Sequence, residues 1–435
     1  MVNARGLALH ALTSLARGRA DRLRAVLDTG RLEPREMAFA FELAHGVLRR
    51  ERLLDFVLNG LAHRGLPRDA QLLTALRLGA YQLLFVAGMP AHAAVHETVE
   101  LVRSNRGFAN ALLRRLAGAI DLGTADAQDR TELALGDSRV LHLAKPLPDD
   151  EAARLAIVHS LPDFLVARWC ERLGLNAVRG ITAAASEVPG VFLRAAADAD
   201  AVALAATLRE QGVEVEATAT PRLLRWSGGN SPFATAAFTR GQFVVQDPTA
   251  MRAALAVPVA AGDTVIDLCA APGTKTTLLA ERARPGRVFA FDIDAHRRRR
   301  IVENVQRLHL GDVVRVVDEA ADLPRDAAAV LADVPCSNTG VLGRRVEVRL
   351  RLSPATFAAM AATQRTILTQ AIGLARPGGA VVYSTCSIDH EENDAVVDAV
   401  LAAPSTPPCE VVARQLTLPS AGQHDGGFHA VLRRR

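Results

Sequence analysis

The segment Val265-Ile-Asp-Leu-Cys-Ala-Ala-Pro-Gly-Thr-Lys-Thr-Thr-Leu-Leu-Ala280 decides the fold that the sequence predicts. Its apolar start indicates a buried strand, the small residues that follow indicate a tight turn, and Leu278 begins a helix. Such a turn lets the backbone approach a ligand closely, and the helix N-terminus offers free N–H groups. The segment contains neither a Gly-x-Gly-x-x-Gly dinucleotide fingerprint nor a phosphate-binding P-loop. On its own it is also compatible with a structural turn that binds nothing.

Apolar strands alternate with helical segments throughout residues 232–435. The clearest predicted strands cover residues 265–268, 288–291, 313–317, 329–332 and 380–383. This alternation predicts a Rossmann-like α/β domain with a mostly parallel sheet covered by helices on both faces. Because ligands bind beyond the carboxyl ends of the strands in such sheets, we expect the chemistry to lie just after each strand.

Three further regions precede this domain in a chain of 435 residues, which is longer than most single cores. Residues 1–120 carry apolar side chains at helical spacing and predict an all-α domain. Residues 121–150 are rich in Gly, Asp, Thr and Pro and predict a linker. Residues 151–231 combine a helical stretch with candidate strands at 191–194 and 213–216, which predicts a small α+β lobe. The predicted architecture is therefore multidomain.

Charge and composition limit the class of protein without naming its function. The 51 Lys and Arg residues against 47 Asp and Glu give a net charge of +4, which is too small to identify a nucleic-acid-binding protein. Arginines cluster within residues 49–52, 297–300 and 344–351. Each cluster is a candidate phosphate-binding surface, although a solvated face is the more common role.

The five cysteines are widely spaced and form no Cys-x-x-Cys pair. Neither a disulfide framework nor a zinc site is predicted, and we expect no metal. Residues 7–15 predict an amphipathic helix rather than a signal peptide, and no apolar run approaches the roughly 18 residues of a membrane span. We expect a soluble, cytoplasmic monomer.

Acidic residues follow the second and third strands of the predicted sheet. A carboxylate at the end of the second strand can accept hydrogen bonds from both hydroxyls of a ribose. Asp292 suits this role better than Asp294, because it lies nearer the strand end. Asp318 follows the third strand, where it could accept a hydrogen bond from an adenine amino group. A lone Asp is more often a helix cap, so the weight of Asp318 comes from its place in the series.

Two cysteines follow the fourth and fifth strands, in Asp333-Val-Pro-Cys-Ser-Asn-Thr-Gly340 and Tyr383-Ser-Thr-Cys-Ser387. A buried inert thiol is the most common role of one cysteine, but two at neighbouring strand ends favour chemistry. A thiolate can add to carbon 6 of cytosine and make carbon 5 nucleophilic, while a carboxyl group relieves charge at N3. A base must then remove the carbon 5 proton. These considerations do not distinguish Cys336 from Cys386 as the attacking thiol.

These segments, together with the strand-to-helix loop at residues 267–275, resemble the successive motifs of the RNA 5-methylcytosine methyltransferases. Residues 90–103 and 108–114 resemble the last helices of a NusB-like RNA-binding domain. The resemblance covers essentially the whole chain. It is greatest to the bacterial members that methylate small-subunit (16S) ribosomal RNA, which implies this RNA as the partner.

The resemblance also implies roles for individual residues. Cys386 is the implied nucleophile, Cys336 assists product release, and Asp333 lies at the target cytosine base. DNA cytosine methyltransferases instead use the thiol that corresponds to Cys336. The implied cofactor is S-adenosyl-L-methionine. The residues implied around it are Cys269, Ala270, Ala271, Pro272, Gly273, Thr274, Lys275, Asp292, Asp318 and Asp333.

The sequence departs from the family pattern at several places, and other functions stay open. Thr274 replaces the usual second Gly of the loop, which is tolerable if its φ is negative. Arg344 and Arg345 are followed by Val346 where the family tends to have Pro, and residues 193–196 read Leu-Arg-Ala-Ala where Leu-Arg-Val-Asn is common. The alternatives are cytosine methylation of another RNA such as tRNA, a DNA or protein methyltransferase, and a non-catalytic NusB-like RNA-binding factor.

Overall fold

The computed structural model describes residues 3–435. These residues divide into two compact units. The first contains the chain up to Glu187 together with Arg345–Arg351, and the second contains Val188–Arg344 and Leu352–Arg435. The boundaries of these two units differ from those of the four regions that the sequence predicts. The division into four regions stays a prediction. Within the described residues, no helix combines the length and apolar character needed to cross a membrane.

The first unit is mainly helical. Capping side chains mark the start of some of its helices: Asp69 and Asp150 each accept a backbone N–H bond at 2.7 Å. Leu43, Leu54 and Leu76 are fully buried in one continuous core. The helices are α1 (Ala4–Ala16), α2 (Leu23–Leu27), α3 (Pro34–Arg49), α4 (Glu51–Leu61), α5 (Ala70–Phe85), α6 (Ala91–Leu101), α7 (Arg106–Ala117), α8 (Glu151–Val158), α9 (Asp163–Leu173) and α10 (Leu175–Ser186).

A small antiparallel sheet lies within the predicted linker. Its strands are β1 (Ile120–Leu122), β2 (Glu132–Leu135) and β3 (Arg139–His142), in the order β1-β3-β2. Asp137 and Ser138 turn the chain between β2 and β3 with φ of +62° and +52°. The strands are too short to show clear alternation among turn-forming residues, so the local pattern indicates only a connector.

The second unit begins with an antiparallel sheet of order β5-β6-β4-β7. Its elements are β4 (Val191–Ala195), α11 (Ala201–Glu210), β5 (Val213–Ala217), β6 (Leu223–Gly229), α12 (Ala236–Thr239) and β7 (Phe243–Val245). Leu193, Leu208 and Phe243 are fully buried in its core. Both strands predicted in this part of the chain are present.

The large sheet of the second unit confirms the predicted fold class. Its strands are β8 (Thr264–Asp267), β9 (Arg287–Ala290), β10 (Val314–Val316), β11 (Ala327–Asp333), β12 (Ala375–Thr385), β13 (Cys409–Thr417) and β14 (Gly427–Arg434). The order is β10-β9-β8-β11-β12-β14-β13, and all pairs from β10 to β12 are parallel. The associated helices are α13 (Pro248–Leu255), α14 (Thr274–Ala283), α15 (Ala295–Arg307), α16 (Pro354–Leu374) and α17 (Asp394–Leu401). The strand order reverses between β8 and β11, where open α/β sheets bind ligands.

Candidate active site

The register of the sheet brings three strand ends together at this reversal point. Asp267 at the end of β8 pairs with Leu331 of β11, and Asp333 at the end of β11 pairs with Ser384 of β12. The loops that leave these strands therefore begin side by side. Each carries residues that the sequence predicts to be functional.

The two predicted thiols lie in contact. The Sγ atoms of Cys336 and Cys386 are 3.1 Å apart, and Cys386 Sγ lies 3.3 Å from Oδ1 of Asn338. Cys336 is buried, whereas Cys386 is partly exposed. The more accessible sulfur is thus the one that an incoming substrate reaches first.

Cys336 is held in its protonated form. Its hydrogen bond with Cys386, its burial and the negative charges of Cys386 and Glu392 together raise its pKa well above the ordinary value for a thiol. Because only a thiolate is a strong nucleophile, this environment suits Cys336 to holding or donating a proton. It supplies a physical difference between the two sulfurs that the sequence alone does not.

Backbone contacts lock the two thiol-bearing loops together. The N–H of Gly340 donates to the carbonyl of Cys386 at 2.9 Å, and the N–H of Gly426 donates to the carbonyl of Gly340 at 2.8 Å. A Cβ atom at position 340 would lie 2.6 Å from the carbonyl carbon of Gly426. No side chain fits at this approach, which explains the glycine.

Lys275, the second residue of α14, contacts the carboxylate of Asp333, which the sequence predicts to be catalytic. Its Nζ lies 2.6 Å from Oδ2 of Asp333, and its side chain is 14% exposed. Burial alone would lower the pKa of Lys275, but the negative charges of Asp333, Asp267 and Cys386 outweigh it, and the pKa is raised. Lys275 is therefore a permanent cation within electrostatic reach of Cys386.

The loop at residues 269–275 has the conformation that a closely bound ligand needs. Gly273 has a φ of +98°, and a Cβ atom there would lie 3.3 Å from Cα of Ile301. Thr274 is the first residue of α14, so its backbone is helical and the replacement of glycine at this position causes no strain. The backbone thus turns sharply and presents the N-terminus of α14 at the reversal point.

The structure separates the roles of the acidic residues. Asp292 is 2% exposed and its Oδ2 accepts the N–H of Ala271 at 3.2 Å, which places it against the loop. Asp294 instead caps α15 through the N–H groups of His296 and Arg297. Asp318 is 87% exposed and lies 3.3 Å from Arg298. Asp292 is therefore the aspartate that adjoins the loop.

The sequence alone gives no separate role to Asp267. Its side chain is buried, its Oδ2 accepts a hydrogen bond from Thr276 at 2.7 Å, and its Oδ1 has no partner among the described residues. Burial, with further effects from Asp333 and Asp292, raises its pKa to about 7. An unpaired buried carboxylate oxygen is costly, so this position suits a ligand that brings a donor. The signal in the sequence is its place as the last residue of the strand.

Two arginines of the predicted cluster at residues 344–351 form contacts within the protein itself. Arg344 forms ion pairs with Asp247, at 3.0 Å, and with Asp425. Arg349 is 5% exposed and donates to backbone carbonyls within the first unit. Arg345 and Arg351 of the same cluster are exposed.

Arg194, in the segment that departs from the family pattern, is also internal. Its side chain is fully buried and lies 2.7 Å from Glu281 and 2.9 Å from Thr277, both on α14. It therefore joins β4 to the helix that follows the loop at residues 269–275. A buried guanidinium in this position cannot contact RNA directly.

The fold and the site together define a methyltransferase, and comparisons with known proteins specify its family. The family model "16S rRNA methyltransferase RsmB/F" matches residues 254–429, and the NusB family model matches residues 2–118. The ribosomal RNA small subunit methyltransferase B of Thermus thermophilus is 32% identical, covering 99% of this chain and 97% of the relative. A protein of Mycobacterium tuberculosis that is named as a methyltransferase is 36% identical, and the match covers 85% of this chain and 80% of the relative.

The chain belongs to the 16S rRNA methyltransferase RsmB/F family and is an RNA methyltransferase with an N-terminal NusB domain. The crystal structure of PH0851 shares the fold, with a TM-score of 0.74 and 22% identity over 100% of this chain and 99% of that chain. These findings confirm the predicted family, the enzyme class and the NusB-like region. The individual site residues and the chemistry at cytosine remain predictions.

Proposed function

We propose that the protein transfers a methyl group from S-adenosyl-L-methionine to carbon 5 of a cytosine in small-subunit (16S) ribosomal RNA, through a covalent bond between Cys386 and carbon 6. The observation that carries this proposal is the contact of the two sulfurs, 3.1 Å apart, in a unit where Lys275 pairs with Asp333 at the neighbouring strand end. Methylation of adenine or of a protein needs no thiol pair. The relatives are named as ribosomal RNA small subunit methyltransferases, which supports the choice of ribosomal RNA, and we expect the enzyme to act in the cytoplasm.

The residues around the reversal point fit the cofactor. Oδ1 of Asp267 is a buried acceptor without a partner and suits the ammonium group of the methionine part. Asp292 suits the ribose hydroxyls, and Asp318 suits the adenine amino group. The backbone of residues 269–275 would lie along the cofactor. When bound, S-adenosyl-L-methionine supplies an electrophilic methyl group on a sulfonium sulfur.

The first step is addition of the Cys386 sulfur to carbon 6 of the cytosine. The Lys275 cation lies within electrostatic reach of the attacking sulfur. Addition moves negative charge toward N3 and carbon 5 of the ring. The ion pair of Lys275 with Asp333 offers a donor and an acceptor in one place, able to hold a proton at N3. Carbon 5 then has the electron density to accept the methyl group.

The last step releases the methylated base and uses Cys336. The carbon 5 proton must leave, and the bond between carbon 6 and the Cys386 sulfur must break. Cys336 carries a proton and touches the departing sulfur. It can pass its proton to Cys386 and receive the carbon 5 proton in return, which restores both thiols. Loss of Cys336 should therefore trap the covalent complex.

The test compares Cys386→Ala with Cys336→Ala on unmethylated small-subunit RNA, using cofactor with a labelled methyl group. We expect no methylated RNA from Cys386→Ala, and from Cys336→Ala a protein–RNA adduct that survives denaturation. Cys170→Ala is the matched control, because this partly exposed thiol lies on α9 in the first unit; its activity should equal that of the wild type.

Three results would contradict the proposal. An adduct that forms only when Cys386 is absent would make Cys336 the nucleophile. Methylation of tRNA but not of small-subunit RNA would move the activity to another substrate. Binding of ribosomal RNA without any methyl transfer would indicate a non-catalytic RNA-binding factor.

A further inference from the structure

A fully buried polar cluster lies beneath the two thiols. It consists of Gln364 on α16, Glu392 on the short helical turn before α17, and Ser337, which follows Cys336. Glu392 and Gln364 have no exposed surface, and Ser337 is 4% exposed. Apart from the effect of the Glu392 charge on the pKa of Cys336, the chemistry described above gives these three residues no role.

The cluster is hydrogen-bonded to the chain on both sides of Cys336. Gln364 Nε2 donates to the carbonyl of Pro335 at 2.9 Å and to Oε1 of Glu392 at 3.0 Å. The same Oε1 accepts the N–H of Ser337 at 2.8 Å, and the hydroxyl of Ser337 donates to Oε2. The residues immediately before and after Cys336 are thereby fixed.

The cluster is also anchored to the strand that leads to the second thiol. The hydroxyl of Tyr383, near the end of β12, donates to the backbone carbonyl of Glu392. Cys386 follows three residues later in the chain. One acidic residue is therefore hydrogen-bonded both beside Cys336 and to the strand that leads to Cys386.

We propose that Glu392, together with Gln364, is a positioning residue that sets the place of the Cys336 sulfur against the Cys386 sulfur. This role rests on the proposed function wherever catalysis is measured, but the spacing of the sulfurs does not. A buried carboxylate with several donors around it is a rigid support. Its negative charge also helps Cys336 to keep its proton. The release of the methylated base therefore depends on Glu392, although Glu392 contacts no substrate.

The spacing can be tested by oxidation of the purified full chain with diamide, an azo oxidant. One thiol adds to the azo group, and the second thiol then attacks that sulfur. A disulfide forms, two protons and two electrons pass to the oxidant, and the azo compound leaves as a hydrazine. Cys386 is the more exposed thiol and reacts first, so closure to the Cys336–Cys386 bond reports where Cys336 lies. Peptide mass mapping identifies the bond.

We expect Glu392→Ala to slow closure of this bond roughly tenfold or more, because a small displacement removes the attacking sulfur from its line of approach. Glu392→Gln keeps an acceptor for the N–H of Ser337 and should close at the wild-type rate or faster, because loss of the negative charge makes Cys336 easier to ionise. Gln364→Met removes the contacts to Pro335 and Glu392 while keeping the side-chain length, and should lie between them. Gln370→Ala, at an exposed position of the same helix, is the control and should match the wild type.

Methyl transfer supplies the second readout. For Glu392→Ala we expect kcat to fall roughly tenfold or more and KM for RNA to fall with it, because slower release lets the covalent complex accumulate while kcat/KM is retained. Cofactor affinity, measured on the same samples, should stay at the wild-type value and shows that the domain is folded. Wild-type closure in both Glu392→Ala and Gln364→Met would overturn the inference. If the wild type transfers no methyl group but closure still depends on Glu392, the proposed function fails and the positioning role stands.

Discussion

A buried arginine of the first unit, Arg349, is hydrogen-bonded to the backbone, whereas a largely buried lysine of the second unit, Lys275, pairs with a carboxylate near two thiols. Arg349 donates to the carbonyls of Arg49, at 2.9 Å, and Ala185, at 2.8 Å. Lys275 and Asp333 instead lie at a strand end next to two thiols. Burial of a charge costs free energy in both cases. Substitution of Arg349 should therefore lower stability, whereas substitution of Lys275 should lower activity.

The largest effect on this comparison should come from Arg349→Met. The substitution leaves the carbonyls of residues 49 and 185 without their donor, and we expect the free energy of unfolding to fall by about 3 kcal/mol. Urea denaturation followed by circular dichroism measures it. Arg345→Met, at an exposed position of the same segment, should change stability by less than about 0.5 kcal/mol. Equal stability of the two variants would remove the contrast between the units.

The converse substitution in the second unit is Lys275→Met. Loss of the cation that pairs with Asp333 should slow methyl transfer roughly thirtyfold, equivalent to about 2 kcal/mol in the barrier. The other lysine, Lys145, is exposed in the first unit, and Lys145→Met should retain full activity. Single-turnover methyl transfer is the measurement. A variant that unfolds more easily but keeps its rate would place Lys275 among the structural charges.

The sequence predicts the second unit far better than the contacts within its site. Long apolar runs identify all five parallel strands, and the rule for strand ends brings Cys336, Cys386 and Asp333 to one edge. The contact of Ser337 with Glu392 joins residues 55 positions apart, and no local pattern encodes such a pair. Arg349 shows the opposite failure: its neighbours in sequence suggest a phosphate site, but its partner carbonyl at Arg49 lies 300 positions away.

A smaller effect should appear as a pH dependence of the first unit. Burial, with the charges of Arg50 and Arg349, lowers the pKa of His159 to about 4. The unfolded chain takes up a proton near pH 6.5 while the folded chain does not, so stability is lost as pH falls from 6.5 toward 4. The loss should be about 2 kcal/mol at pH 5. His159→Gln should abolish it in urea titrations, whereas His10→Gln, at an exposed position of α1, should leave it intact.

The smallest effect concerns cofactor affinity in the second unit. Asp267 has a pKa of about 7 because of its burial, so a fall in pH protonates the acceptor proposed for the cofactor's ammonium group. Affinity should therefore weaken roughly tenfold between pH 8 and pH 6. Calorimetric titration with S-adenosyl-L-methionine at both values measures this.

Asp267→Asn should bind weakly at both pH values, since an amide carries no charge to lose. Folding should respond in the opposite direction, because the raised pKa of Asp267 makes the folded state more stable as pH falls from about 7 toward 3.8. A fall in pH would then stabilise the folded state through Asp267 and, through the same carboxylate, weaken the binding of the cofactor. A pH-independent affinity in the wild type would instead show that Asp267 is a structural charge like Arg349.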